Sequence, residues 1–222
     1  MGRRAVRPVN PTLDLSRHFK TFDDLPQPWD AARLFERDLP LEVEVGSGKG
    51  LFIQNAATAH PDRNYLGIEV AHKYARFSAA RLARRELPNA VLVHGDGLRI
   101  FRELLPPASL AAVHVYFPDP WWKARHRKRR VLTPAFLADV ARVLKPAGEF
   151  HFWTDVEEYF HSTLQLLEEI PELIGPRPVP QRPAEHDLDY LTHFERRKRQ
   201  AGLPIYRSLF ERAEVCCNPP SV

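Results

Sequence analysis

The amino-acid sequence predicts an α/β fold in which a mostly parallel, doubly wound sheet is covered by helices on both faces. Strand-like and helix-like patterns alternate five times between residues 41 and 170, and this alternation is typical of parallel sheets. A glycine-rich turn follows the first of these strands, where sheets of this kind bind ligands. The segment 110–117 is almost entirely apolar, which indicates a central strand covered on both faces.

The period of the apolar residues gives the individual elements in order. Strands are expected over 41–45, 65–70, 90–94, 110–117 and 149–154, and helices over 51–59, 71–87, 98–105 and 156–170. Thr133 and Pro134 are the expected N-cap and first residue of one further helix, which ends near 145–148. A last strand over 203–213 is expected to be antiparallel to the others.

Proline residues separate the expected domain from two other segments. The 21 prolines of the chain are concentrated at 8–40 and 171–183. We therefore expect 1–40 to be an extended, Pro- and Arg-containing arm, and 171–183 to be a surface excursion. Residues 41–222 are expected to form a single domain, because a chain of 222 residues with 44% hydrophobic content can bury one core.

Charge is unevenly distributed along the chain. The formal net charge is only +4, from 32 basic and 28 acidic residues. Three windows without acidic residues, 1–8, 123–130 and 196–199, hold 13 of the basic residues, so the rest of the chain is net negative. This segregation favours an anionic polymer as partner, because an evenly mixed surface gives no directed field. Solvated loops are the alternative interpretation.

Composition excludes several classes of protein. The apolar content rules out intrinsic disorder and collagen-like chains, and no stretch reaches the ~18 apolar residues of a membrane helix. The adjacent Cys216 and Cys217 form neither a disulfide framework nor a spaced metal-binding pair, and the ten histidines show no metal-binding spacing. We expect a cytoplasmic protein without a metal or membrane partner, either a monomer or a homodimer.

Acidic residues accompany three successive strands. Residues 44–50 read Glu-Val-Gly-Ser-Gly-Lys-Gly, and Gly46 and Gly48 let backbone amides approach a ligand closely. Glu69 ends the second strand, where a carboxylate can accept both hydroxyls of a ribose. Asp96 follows the third strand, where an adenine amino group would be met. Together with Glu44, these carboxylates suit a nucleoside without phosphate that carries positive charge, which predicts S-adenosylmethionine as cofactor.

A further acidic turn follows the fourth strand. Pro118 and Pro120 restrict the backbone around Asp119, so its carboxylate is held in a stiff, extended turn. The aromatic side chains beside it could stack on a base, or, for Phe117 and one tryptophan, simply belong to the core. The six basic residues of 123–130 would meet phosphates. The sequence therefore predicts a nucleic-acid substrate next to the cofactor.

Four motifs occur together in this chain: the 44–50 turn, Phe-Pro-Asp-Pro-Trp at 117–121, Trp-Thr-Asp at 153–155, and Thr-His-Phe-Glu at 192–195 with Leu-Pro-Ile-Tyr-Arg at 203–207. In these motifs the sequence resembles the bacterial tRNA (guanine-N7)-methyltransferases over about 41–212. The resemblance implies a Rossmann-like class I methyltransferase fold. It also implies methyl transfer from S-adenosylmethionine to the variable-loop guanosine of tRNA, conventional position 46.

The resemblance further implies a role for each matching residue. Residues expected to contact the cofactor are Glu44, Gly46, Gly48, Glu69, Asp96 and Asp119, and Asp119 is also the expected catalytic carboxylate. Residues expected to bind the tRNA substrate are Lys123, Arg125, His126, Arg127, Lys128, Arg129, Arg130, Asp155, Thr192, His193, Phe194 and Glu195. The chain departs from the family pattern at Trp122, where His is common, and at Arg127, where Asn is common.

Three other functions are weighed against this one. DNA or protein amino-group methyltransferases typically carry Asn/Asp-Pro-Pro-aromatic after the fourth strand, whereas Asp119 lies between two single prolines. A nucleotide-dependent oxidoreductase is disfavoured because position 51 is Leu, which breaks the Gly-x-Gly-x-x-Gly spacing. A non-catalytic RNA-binding subunit would not need Glu44, Glu69, Asp96 and Asp119 together.

Overall fold

The computed structural model describes residues 6–180, 183, 186 and 190–214. The strands are β1 (Phe19–Thr21), β2 (Leu41–Val45), β3 (Asn64–Glu69), β4 (Ala90–His94), β5 (Leu110–Tyr116), β6 (Leu144–Thr154), β7 (Leu173–Arg177) and β8 (Tyr206–Arg212). The α-helices are α1 (Ala31–Phe35), α2 (Leu51–Ala59), α3 (His72–Ala83), α4 (Gly97–Glu103), α5 (Pro134–Val143), α6 (Glu157–Glu168) and α7 (His193–Gln200). Two 3-10 helices cover Phe22–Asp24 and Ala124–Arg129.

All eight strands form one sheet in the order β1-β4-β3-β2-β5-β6-β8-β7. The first six strands in this order are mutually parallel, whereas β8 runs antiparallel to both β6 and β7. The strand order reverses between β2 and β5, and open sheets of this type bind ligands outside the carboxyl ends of the strands at such a switch point. The predicted doubly wound sheet with an antiparallel C-terminal strand is confirmed.

Apolar side chains cover the sheet on both faces. In β2, Val43 and Val45 belong to a large cluster that also contains side chains of α4, α5 and α6. On the other face, Phe52 and Ile53 of α2 pack with side chains of α3 and with Trp153. Alternation along β2 directs the acidic residues Glu42 and Glu44 away from the large cluster, so this second face carries buried polar groups as well.

Four strands and α-helices of the structure were not predicted from the sequence: β1, α1, β7 and α7. β1 and α1 fall within the expected arm 1–40 and are only three and five residues long, too short for a periodic pattern. β7 falls within the expected surface excursion and includes Pro176, which an edge strand tolerates. Division of the chain at residue 41 stays a prediction.

Other element ends differ from the predicted ones. β5 stops at Tyr116, because Phe117 adopts the left-handed φ of 51°. β6 begins at Leu144, directly after α5, and not at residue 149. α3 ends at Ala83 rather than 87. The N-cap prediction is confirmed, since the Thr133 hydroxyl accepts a hydrogen bond from the amide of Phe136.

Membrane-spanning helices and metal-binding clusters can be assessed for the described residues. No helix in this part of the chain is both long and apolar enough to cross a membrane. Within the same residues, no group of three or more His, Cys, Asp or Glu side chains could hold a metal ion. Arg3, Arg4, Cys216 and Cys217 lie outside the residues that the structure describes.

Candidate functional site

Five acidic residues lie at the carboxyl ends of five neighbouring parallel strands. Glu44 is the penultimate residue of β2, and Glu69 is the last residue of β3. Asp96 follows β4, Asp119 follows β5 and Asp155 follows β6. Because parallel strands end at the same edge of a sheet, these residues line a single cleft edge on both sides of the switch point.

The glycine turn between β2 and α2 is anchored to the end of β3. Gly46 and Gly48 have φ values of 85° and 53°, a left-handed conformation that glycine adopts without steric cost. The Gly46 amide donates to the carbonyl of Ile68 at 2.8 Å, and the Gly48 amide donates to Glu69 Oε2 at 2.9 Å. Glu69 Oε1 accepts from the amide of Ala71 at 2.8 Å. Glu69 thus fixes the turn and is itself buried at the carboxyl end of β3.

Glu44 is buried beneath this turn, with only 3% of its surface exposed. Its Oε2 atom has no hydrogen-bond partner among the residues that the structure describes. Burial, together with the neighbouring charge of Glu69, raises the pKa of Glu44 to about 8, so the neutral acid predominates at pH 7. A buried carboxyl group without a partner is a favourable position for a ligand that brings a positive charge or hydrogen-bond donors.

Asp96 is placed by the start of α4. It is the N-cap residue of that helix, and its Oδ1 atom accepts from the amide of Leu98 at 2.9 Å. Gly97 lets the helix approach β2, because a Cβ atom there would lie 2.8 Å from Cγ1 of Val45. The exposed side chain of Asp96 is therefore held close to the glycine turn.

Backbone strain flanks Asp119 on both sides. Phe117 and Trp121 have φ values of 51° and 44°, and the left-handed region costs roughly 1–2 kcal/mol for a residue with a Cβ atom. Asp119 itself is exposed between them. Strained, non-glycine positions of this kind cluster at ligand sites, so the turn is a strong candidate for a functional segment.

The segment after the Asp119 turn is partly held by aromatic contacts. The guanidinium group of Arg129 lies 5.1 Å from the centre of the Trp121 ring, and His126 packs edge-on against the same ring at 5.8 Å. Arg130 donates to the carbonyl of Pro120 at 2.8 Å, so it braces the turn from its other side.

The structure describes the side chains of only some of the other basic residues of 123–130. Lys123 and Arg125 are exposed, as expected for residues that meet a large anionic partner. The side chains of Arg127 and Lys128 lie outside the described part of the structure. Trp122, which departs from the family pattern, is 62% exposed beside them.

The segment 192–195 caps α7 and is locked from within. Thr192 Oγ1 accepts from the amide of Glu195 at 3.0 Å, and Glu195 Oε2 accepts from the amide of Leu191 at 2.7 Å. Glu195 Oε1 also accepts from Arg199 at 3.4 Å and Arg207 at 3.3 Å, and the residue is only 3% exposed. In this structure Glu195 therefore positions α7. A direct contact between Glu195 and substrate stays a prediction.

Two contacts bring the start of α7 to the strand ends. The ring of Phe194 lies 4.9 Å from that of Phe117, next to the Asp119 turn. Lys198 forms an ion pair with Asp155 at 2.6 Å. The structure thus brings the predicted residues of 192–195 together with Asp119 and Asp155, although they are distant in sequence.

His193 lies beside a basic residue that the sequence analysis did not single out. Its Nε2 atom is 3.0 Å from Nη1 of Arg81, a residue of α3. Burial and the charge of Arg81 lower the pKa of His193 to about 4. His193 is therefore neutral at pH 7 and accepts a hydrogen bond from the guanidinium group.

Proteins of known sequence are similar to this chain over most of its length. A family model described as "Putative methyltransferase" matches residues 38–208. A tRNA (guanine-N(7)-)-methyltransferase of Rhodopirellula baltica is 51% identical over 218 residues, which cover 96% of this chain and 80% of the relative. The chain belongs to the tRNA (guanine-N7)-methyltransferase family. A second relative of the same name, from Dechloromonas aromatica, is 38% identical over 85% of this chain and 76% of its own length.

Solved structures agree with the fold of the family. The 16S rRNA methyltransferase KamB has a TM-score of 0.59 and 18% identity, and the match covers 82% of this chain and 92% of KamB. A 16S rRNA (adenine(1408)-N(1))-methyltransferase from Catenulisporales acidiphilia has a TM-score of 0.56 and 18% identity, over 83% of this chain and 91% of its own. At this identity the likeness concerns the fold, and it confirms the predicted class I methyltransferase architecture.

In this member of the family, a row of large side chains links the strands behind the cleft. Tyr116 of β5 is paired with Trp153 of β6, which is paired with Arg207 of β8. The Tyr116 and Trp153 rings are 5.1 Å apart, and the Arg207 guanidinium lies 4.7 Å from the Trp153 ring. This row could not be predicted from the sequence, because its members share a face only once the strand register is known.

A buried polar network, which was not predicted from the sequence either, contacts the same row at Tyr116. His114 lies 2.9 Å from Glu42 through Nε2 and 2.9 Å from the Tyr116 hydroxyl through Nδ1. Burial lowers the pKa of His114 to about 4, so the neutral ring donates to Glu42 and accepts from Tyr116. Burial favours the neutral form of Glu42, but hydrogen bonds from His114 and Arg63 lower its pKa to about 2. Charged residues at alternate positions of a buried strand were the available signal.

Proposed function

We propose that the protein transfers the methyl group of S-adenosylmethionine to N7 of guanosine in the variable loop of tRNA, at conventional position 46. The observation that carries the proposal is the position of the Asp119 turn, which shares one cleft edge with the glycine turn and leads directly into the basic segment 123–130. The 51% identical relative named for this activity supports the choice of tRNA and of guanine N7.

The residues around the glycine turn fit the proposed cofactor. Glu69 would accept the ribose hydroxyls and Asp96 the adenine amino group, while Glu44 offers a buried oxygen without a partner among the described residues. No atom within 4 Å would meet a Cβ atom on Gly46, so that side of the turn is open to a ligand. When bound, S-adenosylmethionine supplies a methyl group that is already activated by a sulfonium centre.

Asp119 would act on the guanine base. N7 of guanine carries a free lone pair at neutral pH, so the chain does not need a strong general base. Positive charge develops on the ring as N7 is methylated, and a fixed carboxylate beside the base stabilises that charge. The Asp119 carboxylate would also accept hydrogen bonds from N1–H and the amino group of the base, which orients N7 for the reaction.

Other residues would hold the RNA around that base. The rings of Phe117 and Phe194 and the exposed Trp122 provide stacking surfaces. Lys123 would donate to guanine O6 or to a phosphate, and Asp155, which follows β6 next to β5, would read the base edge. The other basic residues of 123–130 would bind backbone phosphates, which position the RNA without reading its sequence.

The proposed substrate and cofactor also indicate where in the cell the protein acts. A substrate of this kind and its cofactor are encountered in the cytoplasm, so we infer that the protein acts there. Whether it does so as a monomer or as a homodimer stays a prediction.

Product analysis tests the proposed function. Unmodified tRNA is incubated with methyl-labelled S-adenosylmethionine and the protein, then digested to nucleosides. All label is expected in 7-methylguanosine, and Asp119→Ala is expected to incorporate it roughly 100- to 1,000-fold more slowly than the wild type. Label in any other nucleoside, or none with the wild type, would contradict the proposed function.

A further inference from the structure

Five basic side chains surround the start of α7 on the face of the sheet that carries α2 and α3. We call this group the α3–α7 patch: Lys49, Arg81, Arg85, Arg196 and Arg197. Only Arg196 and Arg197 belong to a basic window of the sequence. The structure adds Lys49 from the glycine turn, Arg81 from α3 and Arg85 from the turn directly after α3. The stretch 70–85 contains five basic residues and no acidic one, so α3 contributes no compensating charge.

Direct contacts hold the patch together. Arg81 reaches His193 at 3.0 Å, the carbonyl of Lys49 at 3.4 Å and Gln54 Oε1 at 2.9 Å. Arg85 follows Arg81 by four residues and is exposed. Arg197 is also exposed, over the ring of Phe194 at 5.0 Å. The patch therefore joins α3, the glycine turn and α7 into one surface.

The electrostatics of the patch are consistently positive. Besides burial, the groups that lower the pKa of His193 to about 4 are Arg81, Arg196, Lys49 and Arg197, in that order. Burial and the charge of Arg85 lower the pKa of Arg81 as well. Several cations held this close together repel one another. Binding of an anion among them is favoured because it reduces this repulsion.

Two described acidic residues, Asp155 and Glu195, form ion pairs with basic residues of α7. Lys198 is engaged with Asp155 at 2.6 Å, and Arg199 and Arg207 are engaged with Glu195. The four-residue window 196–199 thus divides into two functions. Lys198 and Arg199 fasten α7 to the sheet, whereas Arg196 and Arg197 belong to the α3–α7 patch.

We propose that the α3–α7 patch binds phosphate groups of the tRNA backbone, as a second RNA contact distinct from the basic segment 123–130. This inference rests on the proposed function. Phe194, directly beside His193, packs on Phe117 next to the Asp119 turn, so a strand of RNA whose base enters the site passes over the patch.

Salt dependence of tRNA binding tests the inference. The variant is Arg85→Gln with Arg197→Gln, and the control, with the same change in net charge, is Arg33→Gln with Lys145→Gln. Arg33 and Lys145 are exposed, and Lys145 lies near the amino end of β6, at the sheet edge opposite the cleft. Loss of two phosphate contacts is expected to lower the slope of log K against log salt by about 1.5, while the control keeps the wild-type slope.

The outcomes separate the inference from the proposed function. A slope and affinity equal to the control would overturn the inference while tRNA methylation by the wild type persists. Weaker binding of S-adenosylmethionine by calorimetry, with tRNA binding unchanged, would overturn it by assigning the patch to the cofactor. Wild-type protein that neither binds nor methylates tRNA would instead overturn the proposed function.

A titration of His193 gives a second, independent readout. Burial is the largest cause of the low pKa of His193, and the neighbouring cations lower it further. Bound phosphates would neutralise those cations, so NMR should show the imidazole pKa rising when tRNA is added. No rise with the wild type, under conditions in which tRNA is bound, contradicts the inference.

Discussion

Glu44 lowers the stability of the folded chain at neutral and higher pH. Its carboxyl group is buried, and Oε2 has no partner among the described residues. Its raised native pKa means that the folded chain retains a proton that the unfolded chain releases. The associated loss of stability is absent below the unfolded pKa of about 4.5, grows as pH rises, and is complete above about 8.

Replacing Glu44 should therefore separate stability from binding. Glu44→Gln is expected to raise the free energy of unfolding by the order of 3 kcal/mol at pH 8.5, because the buried charge is removed, with little change at pH 4.5. The same variant should bind S-adenosylmethionine roughly 10- to 100-fold more weakly, because a charge-assisted hydrogen bond is lost. Denaturant titration at both pH values measures the stabilities, and calorimetry measures the affinity. A variant whose stability equals that of the wild type at pH 8.5 as well as at pH 4.5 would contradict the raised pKa of Glu44.

Asp119 should affect turnover rather than cofactor affinity. Asp119→Ala is expected to lower the methylation rate roughly 100- to 1,000-fold, the range observed when one preorganised electrostatic group is removed from a transition state. Calorimetry should give an unchanged dissociation constant for S-adenosylmethionine. Asp62→Ala, an exposed aspartate just before β3 at the opposite sheet edge, is the matched control. A wild-type rate for Asp119→Ala refutes the assigned role.

Individual site residues could be predicted where their position depends on a strand end. Glu69, Asp96 and Asp119 each follow a strong apolar pattern, so topology alone carries them to one edge. Glu195 could not be predicted in this way, because its burial depends on Arg207, twelve residues later and on another element. The Thr192-x-x-Glu195 spacing was nevertheless a recognisable capping-box signal.

At the scale of elements, α7 is the most dependent on long-range contacts. Its first turn is held by the buried pair of Glu195 and Arg207, whose side chains are 3% and 7% exposed. Most of its remaining surface is basic, so apolar burial contributes little to holding it in place. A helix of eight residues has little stability of its own and depends on such anchors.

Arg207→Ala should release α7 without disrupting the sheet. Removing one partner from a buried ion pair is expected to cost about 3 kcal/mol here, the low end of the range for such pairs, because Glu195 keeps its longer contact with Arg199. Hydrogen exchange should increase over 190–200 and stay at the wild-type level in β2, β3 and β5. Lys198→Ala breaks a more exposed pair and should cost no more than about 1 kcal/mol. Equal exchange in both variants would show that the Arg207 pair is not the anchor.

Helices and strands with a full pattern were predicted almost to the residue. α2 and β4 match the predicted ranges, since each has a complete apolar repeat and a clear turn after it. β1 pairs with only three residues of β4 and was missed because it contributes too few residues to show alternation. Tertiary pairing, rather than local sequence preference, decides such elements.

For the whole molecule, buried titratable groups should set the pH dependence of stability. Between about pH 6.5 and 4, the unfolded state binds protons at His114 and His193 that the folded state excludes. Their contribution is present above pH 6.5 and is lost as pH falls through 4. Glu44 opposes them, because between about 4.5 and 8 the folded state binds the additional proton there.

The slope of stability against pH should therefore depend on Glu44. Between pH 4.5 and 6.5, stability is expected to rise with pH in the wild type. In Glu44→Gln the slope should be steeper by about one proton, or ~1.4 kcal/mol per pH unit at most. Urea unfolding at half-unit steps of pH measures both slopes, and parallel slopes would contradict the assignment of a raised pKa to Glu44.

The charge segregation noted in the sequence acquires a spatial meaning in the structure. Acidic residues concentrate at the carboxyl ends of the central strands, and basic residues of 123–130 and of the α3–α7 patch flank them. The place of the basic segment 123–130 could be predicted from the order of strands and motifs. The α3–α7 patch could not be predicted, because α3 and α7 meet only through tertiary contacts such as that between Arg81 and His193. In the proposed complex, the cations would contact the RNA backbone and the carboxylates would contact the base and the cofactor.

The most direct test of the account changes one atom of the substrate. Two tRNA transcripts are compared, one with guanosine at position 46 and one with 7-deazaguanosine, in which a C–H group replaces N7. Labelled methyl transfer is expected to the first and not to the second, with similar binding of both. Equal labelling of the two transcripts would contradict transfer to N7 at that position.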